Sequence, residues 1–169
     1  MTFESLHDYV DALERNGQLI KVRSKVSADL EVAEILRRLM YKTNQPALLF
    51  ENVDGYKFPV LGNAFGSMDR LKLALDMDDF RELGERITMM TQMKMPSSIF
   101  GKLKMLPKLS ELADYSPKQV ENGQVNEVTL NQGQASLNLF PIIKSFPLDA
   151  GKFITFGITV TKNPETGVR

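Results

Sequence analysis

One histidine, no cysteine and a few glycine-rich or acidic spacings are the chemistry-bearing material of this chain. His7, between Phe3 and Val10 on or beside an apolar stripe, has the chemistry of a base or a metal ligand. No cysteine and no carboxylate pair stands beside it, so it reads as a packing or surface residue. Gly62-Asn63-Ala64-Phe65-Gly66 precedes a helix that Ser67 can cap, a pattern able to hold a phosphate at a helix N-terminus. Its spacing matches neither the dinucleotide fingerprint nor the P-loop, so a tight strand-to-helix turn is the plainer reading. The acidic pairs Asp78-Asp79 and Glu82-Glu85 follow the logic of a helix surface near a positive dipole end. Met89, Met90, Met93 and Met95 suit either adaptable interface packing or core filling at a helix end, the second being favoured. Lys102, Lys104 and Lys108 lack interleaved aromatics and read as a solvated face. There is no nucleophile–base pair, no histidine-rich metal set and no carboxylate dyad, so these residues alone name no reaction.

The elements that must position these residues alternate between helix and strand. Thr2 can cap a first helix with Phe3, Leu6, Val10 and Leu13 on one face, ended by Asn16-Gly17. Leu19 to Val22 is a short strand. Ser27 or Asp29 caps a second helix with Leu30, Ala33, Leu36 and Met40 as its apolar stripe. Ala47–Phe50 and Tyr56–Leu61 make a hairpin about Asp54-Gly55. A third helix follows Ser67, with Leu71, Leu75 and Met68 facing inward. A fourth runs from Asp78 or Asp79 to about Gln92 with Phe80, Leu83, Ile87 and Met90 buried. The alternation favours an α/β layer.

The texture changes after residue 95. Pro96, Pro107 and Pro117 cut the next stretch into short pieces, which read as a linker over residues 96–117. Beyond it, Val125–Leu130, Ala135–Leu139 and Phe153–Lys162 are strand candidates between turn signals, the opening strands of a barrel or sandwich. The expected division is an N-terminal α/β domain over 1–95, the linker, and an incomplete β domain over 118–169. Asn163-Pro164-Glu165-Thr166-Gly167 is a turn, and Val168-Arg169 begins a returning strand with only two residues. The expectation is therefore the front part of a longer protein.

Composition narrows the classes further. The chain has 169 residues, 43% hydrophobic and 25% charged, within the range of a globular protein with a real core. Its 21 basic and 21 acidic residues cancel, which argues against a dominant nucleic-acid or anionic-membrane surface. The absence of cysteine excludes disulfides, thiolate catalysis and cysteine-ligated zinc. No charged-then-apolar leader is visible at the start, and no run approaches the roughly 20 apolar residues of a membrane helix. The expectation is a soluble cytoplasmic protein with no nucleic-acid partner.

Several stretches, in order, resemble the UbiD family of decarboxylases: Ser5-Leu6-His7-Asp8-Tyr9-Val10 through Asn16-Gly17-Gln18-Leu19; Pro46 to Asn52 with Gly55-Tyr56 and Phe58-Pro59-Val60-Leu61; and Asn63 to Ser67. Most specific are Leu139-Phe140-Pro141-Ile142 and Phe146 to Gly151, followed by Thr155 to Thr161. The resemblance implies a carboxy-lyase acting on aromatic or α,β-unsaturated acids, with a prenylated 4-hydroxybenzoate as substrate in the ubiquinone branch. It implies prenylated FMN as cofactor, with manganese and potassium at its phosphate. The implied fold is an N-terminal α/β domain, a flavin-reductase-like split β-barrel that holds the cofactor, and a C-terminal domain that mediates homo-oligomers. The family's Asn metal ligand and catalytic Arg are expected beyond Arg169, so no catalytic or metal-binding residue is assigned here. Thr155 alone matches a position lining the flavin and substrate pocket, with Phe153 and Gly157 as strand neighbours. The 169-residue chain by itself is expected to be inactive and to bind none of these cofactors tightly. The competing reading is a non-catalytic docking or assembly domain.

Overall fold

The computed structural model describes residues 3–91, 121 and 123–168. The linker expected over 96–117, its lysine run, Met93 and Met95 lie outside the described residues, as does the side chain of Met90. The chain falls into two compact units, one of Met1–Asp76 with Ala135–Arg169 and one of Met77–Gln134.

In the first unit, Ser5 rather than Thr2 begins the first helix, α1 (Leu6–Arg15). Its hydroxyl accepts from the Asp8 N–H while the Asp8 carboxylate accepts from the Ser5 N–H, a reciprocal capping box. Gly17, at φ 64°, then turns the chain into β1 (Leu19–Val22). The second helix, α2 (Glu31–Leu39), starts at Leu30 with φ 67° and no side-chain cap. Neither Ser27 nor Asp29 caps it. Instead the Leu30 N–H donates to the Lys144 carbonyl, and the Lys144 N–H to the Ala28 carbonyl. β2 (Ala47–Phe50) pairs parallel with β1 and antiparallel with β3 (Val60–Gly62), in the order β1-β2-β3. The Asp54-Gly55 turn is present, with the Tyr56 N–H donating to the Val53 carbonyl. The return strand is shorter and later than Tyr56–Leu61, because Val53 first bridges Val26 and only Val60–Gly62 reaches β2. Ser67 caps α3 (Met68–Leu75) by accepting from the Arg70 N–H, as its sequence position predicts.

The core forms two clusters. Val26, Val32, Leu48, Phe50 and Val53 make one, with Ile35, Leu36 and Leu39 of α2 packed on it. Tyr9, Leu13 and Ala47 make the other, joined by Phe65, Leu73 and Ala74. Both helical stripes differ from the expected ones. On α1 the buried residues are Tyr9, Ala12 and Leu13, and Leu6 is exposed. On α2 Val32 is buried and Met40 exposed. Apolar side chains at 3–4 spacing lie on two overlapping faces of these helices, and the register against the sheet chooses between them. On α3, Met68 and Leu75 point outward while Arg70 is buried.

The second unit contains α4 (Phe80–Thr91) and a 3₁₀ turn at Gln124–Asn126. Ile87 and Met89 of α4 are exposed, against the expected burial of Ile87 and the core-filling reading of Met89. Asp79 serves the start of this helix, its carboxylate accepting from the Arg81 N–H and side chain.

Among the described residues, 123–168 contain no strand. The expected strands at Val125–Leu130 and Phe153–Lys162 run without ladder partners, and Ala135–Leu139 holds a 3₁₀ turn at Leu137–Leu139. The turn at 163–167 does form. The Asn163 side-chain oxygen accepts from the Glu165 and Thr166 N–H groups, and the Asn163 N–H donates to the Val168 carbonyl at 2.9 Å.

Candidate functional site

An open cleft of about 590 Å³ lies within the first unit. One wall is β3 and the loop after it, through Gly66; the other is Phe140–Ile143 with Phe153–Phe156. Local sequence explains the first wall. Gly62 sits so close to α2 that a Cβ there would meet the Leu36 side chain at 2.5 Å. Asn63, at φ 55°, turns its amide back to the carbonyls of Gln45 and Pro46, both at 3.0 Å. Gly66 leaves room for that Asn63 side chain. The glycine segment is thus a tight strand-to-helix turn, built around Asn63.

Tyr9 fixes this loop from behind. Its hydroxyl lies 2.9 Å from the Ala64 carbonyl and 3.1 Å from the Arg70 carbonyl, and its ring stacks on Phe65 at 5.6 Å. Burial raises the Tyr9 pKa above its ordinary value, with the Arg70 charge opposing the rise. The second wall is tied down by the Ala28–Lys144–Leu30 backbone bonds and by the Phe153 N–H donating to the Ile143 carbonyl. Phe65 meets Phe156 across the cleft at 5.2 Å, and Phe58 stacks on Phe140 at 5.2 Å.

Thr155 is on the second wall, beside Phe153 and Phe156. No charged side chain lines the cleft among the described residues. No group of three or more His, Asp or Glu residues able to hold a metal occurs among them either. The lining therefore suits a flat apolar ring and supplies no anchor for a phosphate or a metal ion. His7 is exposed on α1 and is not among the residues lining the cleft, although its neighbour Leu6 is. A second cleft of about 620 Å³ lies beside α2, between Leu30, Arg37 and Met40 and the segment Ser145–Pro147. Near it the Arg37 and Arg38 guanidinium groups, hydrogen-bonded to Glu34, hold that exposed carboxylate down to about 2.

Residue reasoning missed Tyr9 and Arg70. A signal for both existed. Arg70 stands three and four residues before Leu73 and Ala74, which pack on the core, and Tyr9 stands three and four before the buried Ala12 and Leu13.

Residues 10–87 match the model of the 3-octaprenyl-4-hydroxybenzoate carboxy-lyase N-terminal domain, and residues 118–169 match the Rift-related domain of the same carboxy-lyase. The chain belongs to the UbiD family. An uncharacterized protein of Aquifex aeolicus is 38% identical over 99% of this chain. One of Archaeoglobus fulgidus is 40% identical, also over 99%. The chain spans 34% of the length of each, about a third. An evolved dimeric form of the UbiD-class enzyme HmfF from Pelotomaculum thermopropionicum, in complex with prFMN, superposes with a TM-score of 0.64 at 24% identity. That match covers 98% of this chain and 34% of the enzyme chain, and shows a shared fold. No helix among the described residues is long and apolar enough to cross a membrane.

Proposed function

We propose that this chain provides the N-terminal domain and one side of the cofactor cleft of a UbiD-type carboxy-lyase acting on aromatic or α,β-unsaturated acids. A polyprenyl-4-hydroxybenzoate is one substrate of that class. The observation that carries the reading is the cleft itself. Its first wall falls in the segment matching the family's N-terminal domain and its second in the Rift-related match, and both are apolar and aromatic. Those matches also support a division into 1–95 and 118–169, joined by 96–117.

Prenylated FMN, when bound, supplies the electron sink that decarboxylation requires. The role of this chain's residues is positional. Phe65, Phe140 and Phe156 offer faces for a flat ring, Thr155 offers a hydroxyl at the wall, and Tyr9 holds the Ala64-Phe65 loop from the core side. The phosphate, manganese and potassium fall to residues elsewhere in the longer family architecture, which also holds the acid–base groups. In that architecture Phe153–Lys162 gains strand partners as part of a split barrel. Homo-oligomers form through a further domain, and the enzyme works in the cytoplasm without nucleic acid.

Titration of the 169-residue chain with reconstituted prenylated FMN and manganese tests the division of labour. The expected result is no tight binding and no carbon dioxide release from an unsaturated acid. Micromolar binding with turnover would show that the catalytic groups lie inside this chain.

A further inference from the structure

Among the described residues, positive φ outside glycine occurs at Leu30, Asn63, Asp76 and Phe156. Asparagine and aspartate tolerate that region, and the Leu30 N–H is bonded to the Lys144 carbonyl. Phe156, at φ 62°, is a bulky residue for which the left-handed region is an outlier, and it is 88% exposed. Burial therefore does not hold it there. Its ring meets the half-buried Phe65 ring at 5.2 Å and 34°, and both residues line the cleft. Aromatic pairs attract at such a distance. Phe65 is fixed from the core side, stacked on Tyr9, whose ring Phe3 meets edge-on at 5.3 Å. Phe156 is thus the solvent-exposed outer end of an aromatic series anchored in the core.

A flat ligand ring and the Phe156 ring compete for one place. Carbon surfaces in contact lie about 3.5–4 Å apart, so a third ring between Phe65 and Phe156 needs their centroids roughly 7–8 Å apart. At 5.2 Å the pair admits none. Of the two, only Phe156 is free to give way. It is already exposed, so swinging outward loses little burial, and its backbone can relax to the negative φ that residues with a Cβ prefer. The turn at Thr155-Phe156 opens with that move. Any face that Phe156 offers a bound ring is available only after its contact with Phe65 has broken.

We infer that Phe156 is a built-in competitor of the cleft: its ring holds the place on Phe65 that a flat aromatic ligand takes, and binding ejects it. This rests on the reading of the cleft as the site of a flat ring, and adds the residue that regulates entry to it. The test titrates lumiflavin, an isoalloxazine without a phosphate, with the 169-residue chain, Phe156→Gly and Phe65→Ala, followed by flavin fluorescence. Glycine removes the competing ring and accepts the positive φ without strain. Phe156→Gly should bind roughly 2–10-fold more tightly than the parent, the factor to which one aromatic pair contact corresponds. Cross-peaks between the Phe65 and Phe156 rings should be present in the ligand-free parent and vanish at saturation. Binding that Phe65→Ala weakens and Phe156→Gly does not strengthen overturns this inference and leaves the reading of the cleft standing. Binding unaffected by Phe65→Ala, or no binding by any of the three proteins, overturns both. If Phe65→Ala does not fold, the parent's cross-peaks decide. Cross-peaks that persist at saturation, or are absent without ligand, overturn the inference.

Discussion

Gln18→Glu should stabilise the first unit, because it gives a buried guanidinium the counter-charge it lacks. Arg70 is 1% exposed and its Nη1 lies 3.1 Å from the Gln18 oxygen, so the replacement needs no movement of the backbone. A hydrogen bond between neutral groups contributes about 1 kcal/mol net, and one to a charged group about 1.5–3 kcal/mol. Direct attraction at ~4 Å and an effective dielectric near 20 reaches about 4 kcal/mol. Against this stands the desolvation of the new carboxylate, several kcal/mol at full burial. Position 18 is half-buried, so only part of that cost applies. The balance is roughly 1–2 kcal/mol in favour of the variant, and about 4–8 °C in Tm per kcal/mol for a unit of this size. The sign with pH follows from the charge. The guanidinium holds the introduced carboxyl below its unfolded pKa, so the gain is present above about pH 4.3 and disappears as pH falls below it. Denaturant unfolding followed by circular dichroism at pH 7 and pH 3 measures both. A variant less stable than the parent at pH 7, or a gain unchanged at pH 3, would refute the account of Arg70 as an undercompensated charge.

Other consequences are open to direct measurement. Tyr9→Phe removes the hydroxyl shared by two carbonyls and should cost about 1–2 kcal/mol. The folded-state pKa of Tyr9 is raised, so its contribution is complete below the unfolded value near 10 and fades as pH rises beyond it. The variant should flatten that alkaline limb in pH-dependent unfolding. Leu36→Ala should destabilise by roughly 2 kcal/mol, the low end for such a change, because Leu36 is only partly buried although it touches Gly62 closely; an unchanged denaturant midpoint would contradict that packing. Glu34→Gln should weaken the acid dependence of stability, since the Glu34 carboxylate at about 2 supports the fold above its unfolded pKa and ceases to as pH falls toward 2; acid titration of both proteins would show it. Hydrogen exchange should be slowest at the backbone amides of β1–β3 and fast across 154–162, and slower exchange in the latter would contradict the absence of ladder bonds there.

Local chemistry was legible in the sequence wherever a residue acts on its own neighbours. Ser67 caps α3, Gly17 and Gly55 take positive φ at helix end and turn, and Asn163 organises the final turn. The order of helices and the three short strands followed from periodicity, since a helix or strand with one apolar face announces its period. The α/β class and the family resemblance were legible for the same reason, as short segments in a fixed order. What tertiary structure decided was every choice between two acceptable partners. On α1 and α2 the sheet selected Tyr9 and Val32 over Leu6 and Met40, because the two candidate faces differ little in apolar content and only docking separates them. The sequence reading did not single out Arg70, and the contact of α3 with Tyr9 and Gln18 placed it inside. The Phe153–Lys162 stretch has strand-forming side chains, but a strand exists only when another supplies its hydrogen bonds, and propensity carries no information about that other strand. Thr155 reaches the cleft wall because Lys144 is bonded to Ala28 and Leu30 more than a hundred residues earlier, a pairing that no local pattern encodes.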